Sequence, residues 1–176
     1  VSIYLPLIPE LIISMLACAR IGAIHSVVFS AFSDEALKTR INDGKSKVLI
    51  TSDGYYRKGE KKDLLKKAKS GIKGTKIKKV VVVNRLNKKI KYNNKFVSFE
   101  KESKKVEQYC EPEIMNSSDT LFILYTSGTT GNPKGIMHDT GGYLTQAYWS
   151  TKWNFNLLEK DVIWCTADIG WITGHT

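Results

Sequence analysis

The sequence predicts an α/β fold with a mostly parallel sheet flanked by helices, on three observations. Short apolar runs alternate with segments of helical character along most of the chain. One run, "KKVVVVN", holds four consecutive β-branched residues, as strands covered on both faces do. Helix start and stop signals (Pro9, Gly22, Ser33, Gly44) fall between the runs.

Taken in order, "VSIYL" opens as a short strand. Pro9 suits a first helical position, where a missing N–H costs nothing, and Glu10 complements the helix dipole. "ELIISMLACARIGA" then reads as a buried helix closing at Gly22, and "AIHSVVF" as the next strand. Ser33 can cap a helix with Asp34 and Glu35 in its first turn, and "EALKTRIND" carries it to Gly44. "KVLITSD" is a strand. In the lysine-rich helix that follows, Leu64, Leu65 and Ala68 are spaced to bury one side. After "KKVVVVN" the pattern weakens from 85 to 115, with "NKKIKYNN" as a loop or hairpin. "TLFILYT" is a strand, "GIMHD" is strand-like, "GYLTQAYWSTKWNF" is a helix and "DVIWCTAD" a last strand.

With 176 residues, 42% of them apolar, and a mean hydropathy of −0.23, the chain has the means to build a core. Its longest apolar runs fall far short of the roughly 20 residues of a membrane span. The start lacks the basic region and cleavage site of a signal peptide. Both ends read as cuts inside a fold, so an internal fragment is expected. Cys18, Cys110 and Cys165 form no CxxC pair, and buried free thiols in a reducing compartment are expected. His25, His138 and His175 are dispersed without metal-ligand spacing, so no metal site is expected.

The formal charge of +10 is unevenly spread. Of 27 basic residues, 19 fall between 57 and 105, against 4 acids there. Such a run can touch phosphates or nucleic acid. No aromatic residues interleave with the lysines of "KKDLLKKAKSGIKGTKIKK", so no base-stacking platform is visible and a solvated helix face is favoured.

The densest motif is "YTSGTTGNPKG". Its glycines permit positive φ and close approach of backbone N–H groups to an anion. Thr126, Ser127, Thr129 and Thr130 offer hydroxyls, Gly128 and Gly131 the free backbone, and Lys134 a cation stiffened by Pro133. The set suits a polyphosphate. It is not a Walker A loop, because Gly135 rather than Ser or Thr follows the lysine.

This stretch resembles the phosphate-loop signature of the adenylate-forming superfamily. "PLIPELIISMLACARIGAIHSVVFSAFS", "MHDTGGY" and "WCTADIGWITGHT" are similar to the acetyl-CoA synthetase branch in particular. The resemblance spans nearly the whole chain and is weakest from 85 to 115. It implies that residues 1–176 are part of the large N-terminal, AMP-binding domain, with the small C-terminal domain absent. It implies ATP, Mg²⁺ and coenzyme A, a short carboxylate substrate (most simply acetate), and reaction through an acyl-adenylate. Thr126, Ser127, Gly128, Thr129, Thr130, Gly131 and Lys134 would embrace the β- and γ-phosphates. Trp171, Ile172 and Thr173 would line the acyl pocket, with Thr173 also facing CoA.

The branch also carries an R-x-G-R tract whose arginines meet CoA phosphates. "YYRKGEKK" matches it at Arg57 and Gly59, with Lys58 between, but Glu60 stands at the second arginine. An acid repels phosphate, and Lys61 substitutes only as a point charge. "FSAF" stands where the branch has a glycine pair. Propionate and 3-hydroxypropionate ligases share these motifs. A non-catalytic nucleic-acid-binding module is the alternative of another class. The expected setting is the cytoplasm, away from membranes, without nucleic acid, and the fragment alone is expected to be inactive.

Overall fold

A computed structural model of the chain describes residues 1–126 and 132–176. The first half alternates as predicted: β1 (Ser2–Tyr4), α1 (Pro9–Arg20), β2 (Ser26–Val27), α2 (Asp34–Asp43) and β3 (Val48–Ser52). A hairpin of β4 (Tyr55–Arg57) and β5 (Glu60–Lys62) precedes α3 (Leu64–Gly71) and β6 (Lys79–Val83). Then come β7 (Phe96–Ser98), α4 (Phe99–Ser103), β8 (Thr120–Thr126), β9 (Lys134–Asp139), α5 (Thr140–Ser150) and a final turn, α6 (Ile172–His175).

Five strands form one sheet in the order β2-β1-β3-β6-β7, every neighbouring pair parallel. The chain moves from β1 to β2 on one side, then returns to place β3 on the other. The crevice beyond the carboxyl ends of β1 and β3 is therefore a topological switch point, where open α/β sheets bind ligands.

Side chains alternate across the sheet and feed two cores. On one face Tyr4, Leu49, Val80 and Val82 pack with Leu37 and Ile41 of α2 and with Leu64, Leu65 and Ala68 of α3. On the other, Ile3, Val27 and Val83 pack with Leu11 of α1 and Phe99 of α4. The helix boundaries follow the predicted chemistry. The Ser33 hydroxyl accepts from the Ala36 N–H at 3.2 Å, and Gly22, at φ +64°, turns the chain out of α1.

β8 and β9 form a separate antiparallel pair. A parallel bridge between His25 and Phe122 ties it to the sheet, with the Ile123 N–H donating to the His25 carbonyl at 2.9 Å.

Several expectations are corrected. "DVIWCTAD" is not a strand. Among the described residues nothing pairs with it, and Val162 and Trp164 are 95% and 84% exposed. Without a neighbour to take its N–H and C=O groups, an apolar run has no reason to stay extended. Cys18 is buried, but Cys110 and Cys165 lie in irregular segments and are exposed, against the expectation of three buried thiols. "NKKIKYNN" is a loop, closed where the Asn93 carboxamide accepts from the Lys95 and Phe96 N–H groups. Strand β7 and helix α4 follow it within the stretch whose pattern was weak. The β4–β5 hairpin went unread because its turn is Lys58-Gly59, at φ 51° and 80°, rather than the usual Asn-Gly. Among the described residues no helix is long and apolar enough to cross a membrane.

Candidate functional site

The two flanks of the phosphate-loop motif, Thr126 and Lys134, end β8 and begin β9. Thr126 and Lys134 are cross-strand partners, the last pair before the connecting loop. The register thus presents a hydroxyl and a cation together at one strand end. Ser127, Gly128, Thr129, Thr130 and Gly131 lie outside the described residues. Tyr125, just before Thr126, is anchored from behind by Asp43 at the end of α2. The Arg40 guanidinium lies 4.6 Å from the Phe32 ring centroid and 5.4 Å from that of Tyr125. Burial lowers the Arg40 pKa, and the Tyr125 ring opposes that shift.

A cavity of about 710 Å³ opens beside this strand end. Its walls include Phe29, Arg40, Tyr125, Thr126, Trp171 and Ile172. Two motifs some 45 residues apart in sequence therefore share one space. Trp171 meets Phe29 edge-on, 5.0 Å between centroids. Thr173 does not line this cavity; its carbonyl accepts from the Cys165 thiol at 3.5 Å.

The three dispersed histidines converge on one phenylalanine. Phe122 of β8 is fully buried, with His138 stacked on it at 4.5 Å and His175 tilted against it at 4.2 Å. His25 stacks on His175 at 5.6 Å. The Tyr143 hydroxyl donates to the His175 carbonyl at 3.2 Å, and His175 Nδ1 lies 3.2 Å from the Ile169 carbonyl, its hydrogen-bond acceptor. The hairpin, the "TGGY" helix and the "GWITGHT" turn are thus joined by one aromatic cluster. Burial depresses all three imidazole pKa values, that of His25 to about 3 with His175 adding to the effect. These rings act as neutral packing groups. Among the described residues no cluster of His, Cys, Asp and Glu could hold a metal ion.

The second recess, about 330 Å³, occupies the switch-point crevice. Its lining comes from the segments after four parallel strands: Leu7 after β1, Ser30 after β2, Tyr56 and Arg57 after β3, and Arg85 after β6. Arg57 also lines an adjoining recess with Ala31 and Lys67. Within the hairpin Arg57 is the cross-strand partner of Glu60, across the Lys58-Gly59 turn. Neither Lys58 nor Glu60 lines either recess. The Glu60 carboxylate is ion-paired with Lys62, whose hydrogen bond holds its pKa below the usual range.

Arg40, Arg85 and Asp53, whose buried carboxylate accepts from the Leu86 and Lys88 N–H groups beside Arg85, carry no sequence signal, because each lies inside or just past an ordinary element and no spacing marks it. Most lysines of the basic segment are exposed, while Leu64, Leu65 and Ala68 are buried as their spacing predicts.

A parallel α/β sheet with a recess at its carboxyl edge, and a hairpin whose last strand pair is Thr126 and Lys134, describes a class of nucleotide-handling α/β proteins. The model of the AMP-binding enzyme family matches residues 1–176, and the chain belongs to that family. It is 51% identical over 185 residues to the acetyl-coenzyme A synthetase of Gemmatimonas aurantiaca and 52% identical over 178 residues to that of Rubrobacter xylanophilus. Both alignments cover all of this chain and 28% of the relative, so the chain spans little more than a quarter of their length. The solved acetoacetyl-CoA synthetase from Streptomyces lividans superposes with a TM-score of 0.89 at 25% identity, covering 97% of this chain and 26% of that one.

Proposed function

We propose that residues 1–176 are the phosphate-gripping and CoA-facing part of the N-terminal domain of a cytoplasmic acetate–CoA ligase. The reaction is ATP + acetate + CoA to acetyl-CoA + AMP + pyrophosphate. The carboxylate oxygen attacks the α-phosphorus of ATP and pyrophosphate leaves; the CoA thiolate then attacks the acyl carbon and AMP leaves.

The observation that carries this reading is that Thr126, the cross-strand partner of Lys134, lines the same cavity as Trp171 and Ile172. In this reading Thr126, Ser127, Gly128, Thr129, Thr130, Gly131 and Lys134 neutralise and position the β- and γ-phosphates, the dominant demand of phosphoryl chemistry. A Mg²⁺ ion would arrive on those phosphates. Trp171 and Ile172 bound the acyl group, Thr173 follows them outside the cavity, and Arg57 serves CoA. Propionate and 3-hydroxypropionate are the rival acids, since an apolar wall of Trp and Ile discriminates by only about 1–3 kcal/mol per methylene. The lysine segment serves solubility, with its apolar stripe turned inward and no base-stacking platform.

The test is acetate-dependent pyrophosphate–ATP exchange by the complete protein that carries this chain. Exchange is expected with acetate, and Lys134→Ala should lower it by about 10²-fold. Absence of exchange with all three acids would overturn the reading. Salt-sensitive RNA or DNA binding that Lys→Ala changes between 61 and 79 abolish would replace it.

A further inference from the structure

The geometry points to Arg85 as a second phosphate-binding residue, acting with Arg57 on the 3′-phosphomonoester of CoA. This rests on the CoA reading above and assigns a residue that no motif marks. Both arginines line the switch-point recess, yet they arrive by separate routes, Arg57 on the hairpin and Arg85 just beyond β6. Among the described residues the ion pairs are Lys62–Glu60, Lys88–Asp63 and Lys105–Glu102, and neither arginine takes part.

The backbone around Arg85 is fixed on both sides. The Asn84 N–H donates to Glu100 at 2.8 Å. The Leu86 N–H donates to the fully buried Asp53 carboxylate at 2.9 and 3.0 Å, and the Lys88 N–H adds a bond at 3.1 Å. A guanidinium carried on so constrained a loop is pre-organised for an anion.

Glu60, the acid nearest in the hairpin's own register, is engaged by Lys62. Asp168, the carboxylate that does line the recess, accepts from the Gly170 N–H at 2.8 Å. Phe29, Tyr55 and Tyr56 supply aromatic surface beside the two cations. A dianionic phosphate on a nucleoside matches that combination: two forked donors for the phosphate and rings for the base. CoA carries its phosphomonoester at the adenosine end. Phe29 lines both this recess and the larger cavity, so a ligand anchored here could extend towards Trp171.

The experiment uses the complete protein, with CoA and dephospho-CoA compared in the thioester-forming step. Arg85→Gln should raise KM for CoA about tenfold. It should leave KM for dephospho-CoA and acetate-dependent pyrophosphate–ATP exchange unchanged. Arg85→Lys should recover part of the loss. An unchanged KM for CoA would overturn the assignment, and so would equal losses with CoA and dephospho-CoA, which would place Arg85 on the pyrophosphate instead. A parent protein that exchanges pyrophosphate but accepts no CoA would refute the CoA reading itself, a separate result.

Discussion

The Tyr125 hydroxyl donates to the Asp43 carboxylate at 2.7 Å, binding the end of α2 to the strand end that delivers Thr126. Burial and this bond both raise the phenol's pKa, so the donor stays protonated across the ordinary pH range. Tyr125→Phe should cost about 1 kcal/mol of stability. Asp43→Asn should cost less, because the carboxamide oxygen still accepts. A double-mutant cycle followed by urea unfolding should return a coupling of at least about 0.5 kcal/mol between the two positions.

Acid should loosen the aromatic cluster before it titrates most carboxylates. The His25 pKa is lowered from its ordinary value near 6.5 to about 3 by burial and the neighbouring His175. Between those values the unfolded chain binds a proton that the folded chain refuses, so stability is full above about 6.5 and declines as pH falls towards 3. The loss should amount to several kcal/mol at the acid end. His25→Phe should flatten the decline in denaturant midpoints measured from pH 7 to pH 4.

Asp53 should be among the least replaceable polar residues. Its buried carboxylate accepts from two backbone N–H groups of the loop after β6. Asp53→Ala strands those donors and should cost about 1–3 kcal/mol. Asp53→Asn should recover only part of this, because its NH₂ end would face N–H donors. Amide exchange at Leu86 and Lys88 should accelerate in both variants.

Gly174 permits the approach of the last turn to the chain before it. A Cβ there would stand 2.5 Å from the Asp168 carbonyl oxygen and 2.7 Å from that of Ala167. Both are backbone atoms, so Gly174→Ala must displace the turn bearing Trp171 and Ile172. In the complete protein this should change the ratio of kcat/KM for acetate and propionate by several-fold, with KM for ATP nearly unmoved.

Much of this was legible because local chemistry sets local structure. Pro9, Ser33 and Gly22 marked helix ends that the fold confirms, and "KKVVVVN" could hardly be other than a covered strand. The two structured pieces between 85 and 115, β7 and α4, are short and carry too few apolar residues for a period to emerge. "DVIWCTAD" misled for the opposite reason, since it has strand composition but no pairing partner among the described residues. The site motifs were readable one by one, but their meeting was not. His25, Phe122, His138 and His175 touch because the bridge from His25, just before β2, brings the hairpin onto the sheet. Sequence spacing carries no trace of that bridge.

The sheet also has a consequence for the order in which the chain is made. The fully sequestered members of both apolar clusters lie between Ile3 and Val83. A ribosome releases these before the hairpin emerges, so the residues that build the platform are available first. The nascent chain therefore completes a platform before it makes the grip, which is laid on afterwards. Errors in the "YTSGTTGNPKG" segment should accordingly yield folded but functionless polypeptide, whereas errors in the core strands should cost the platform itself.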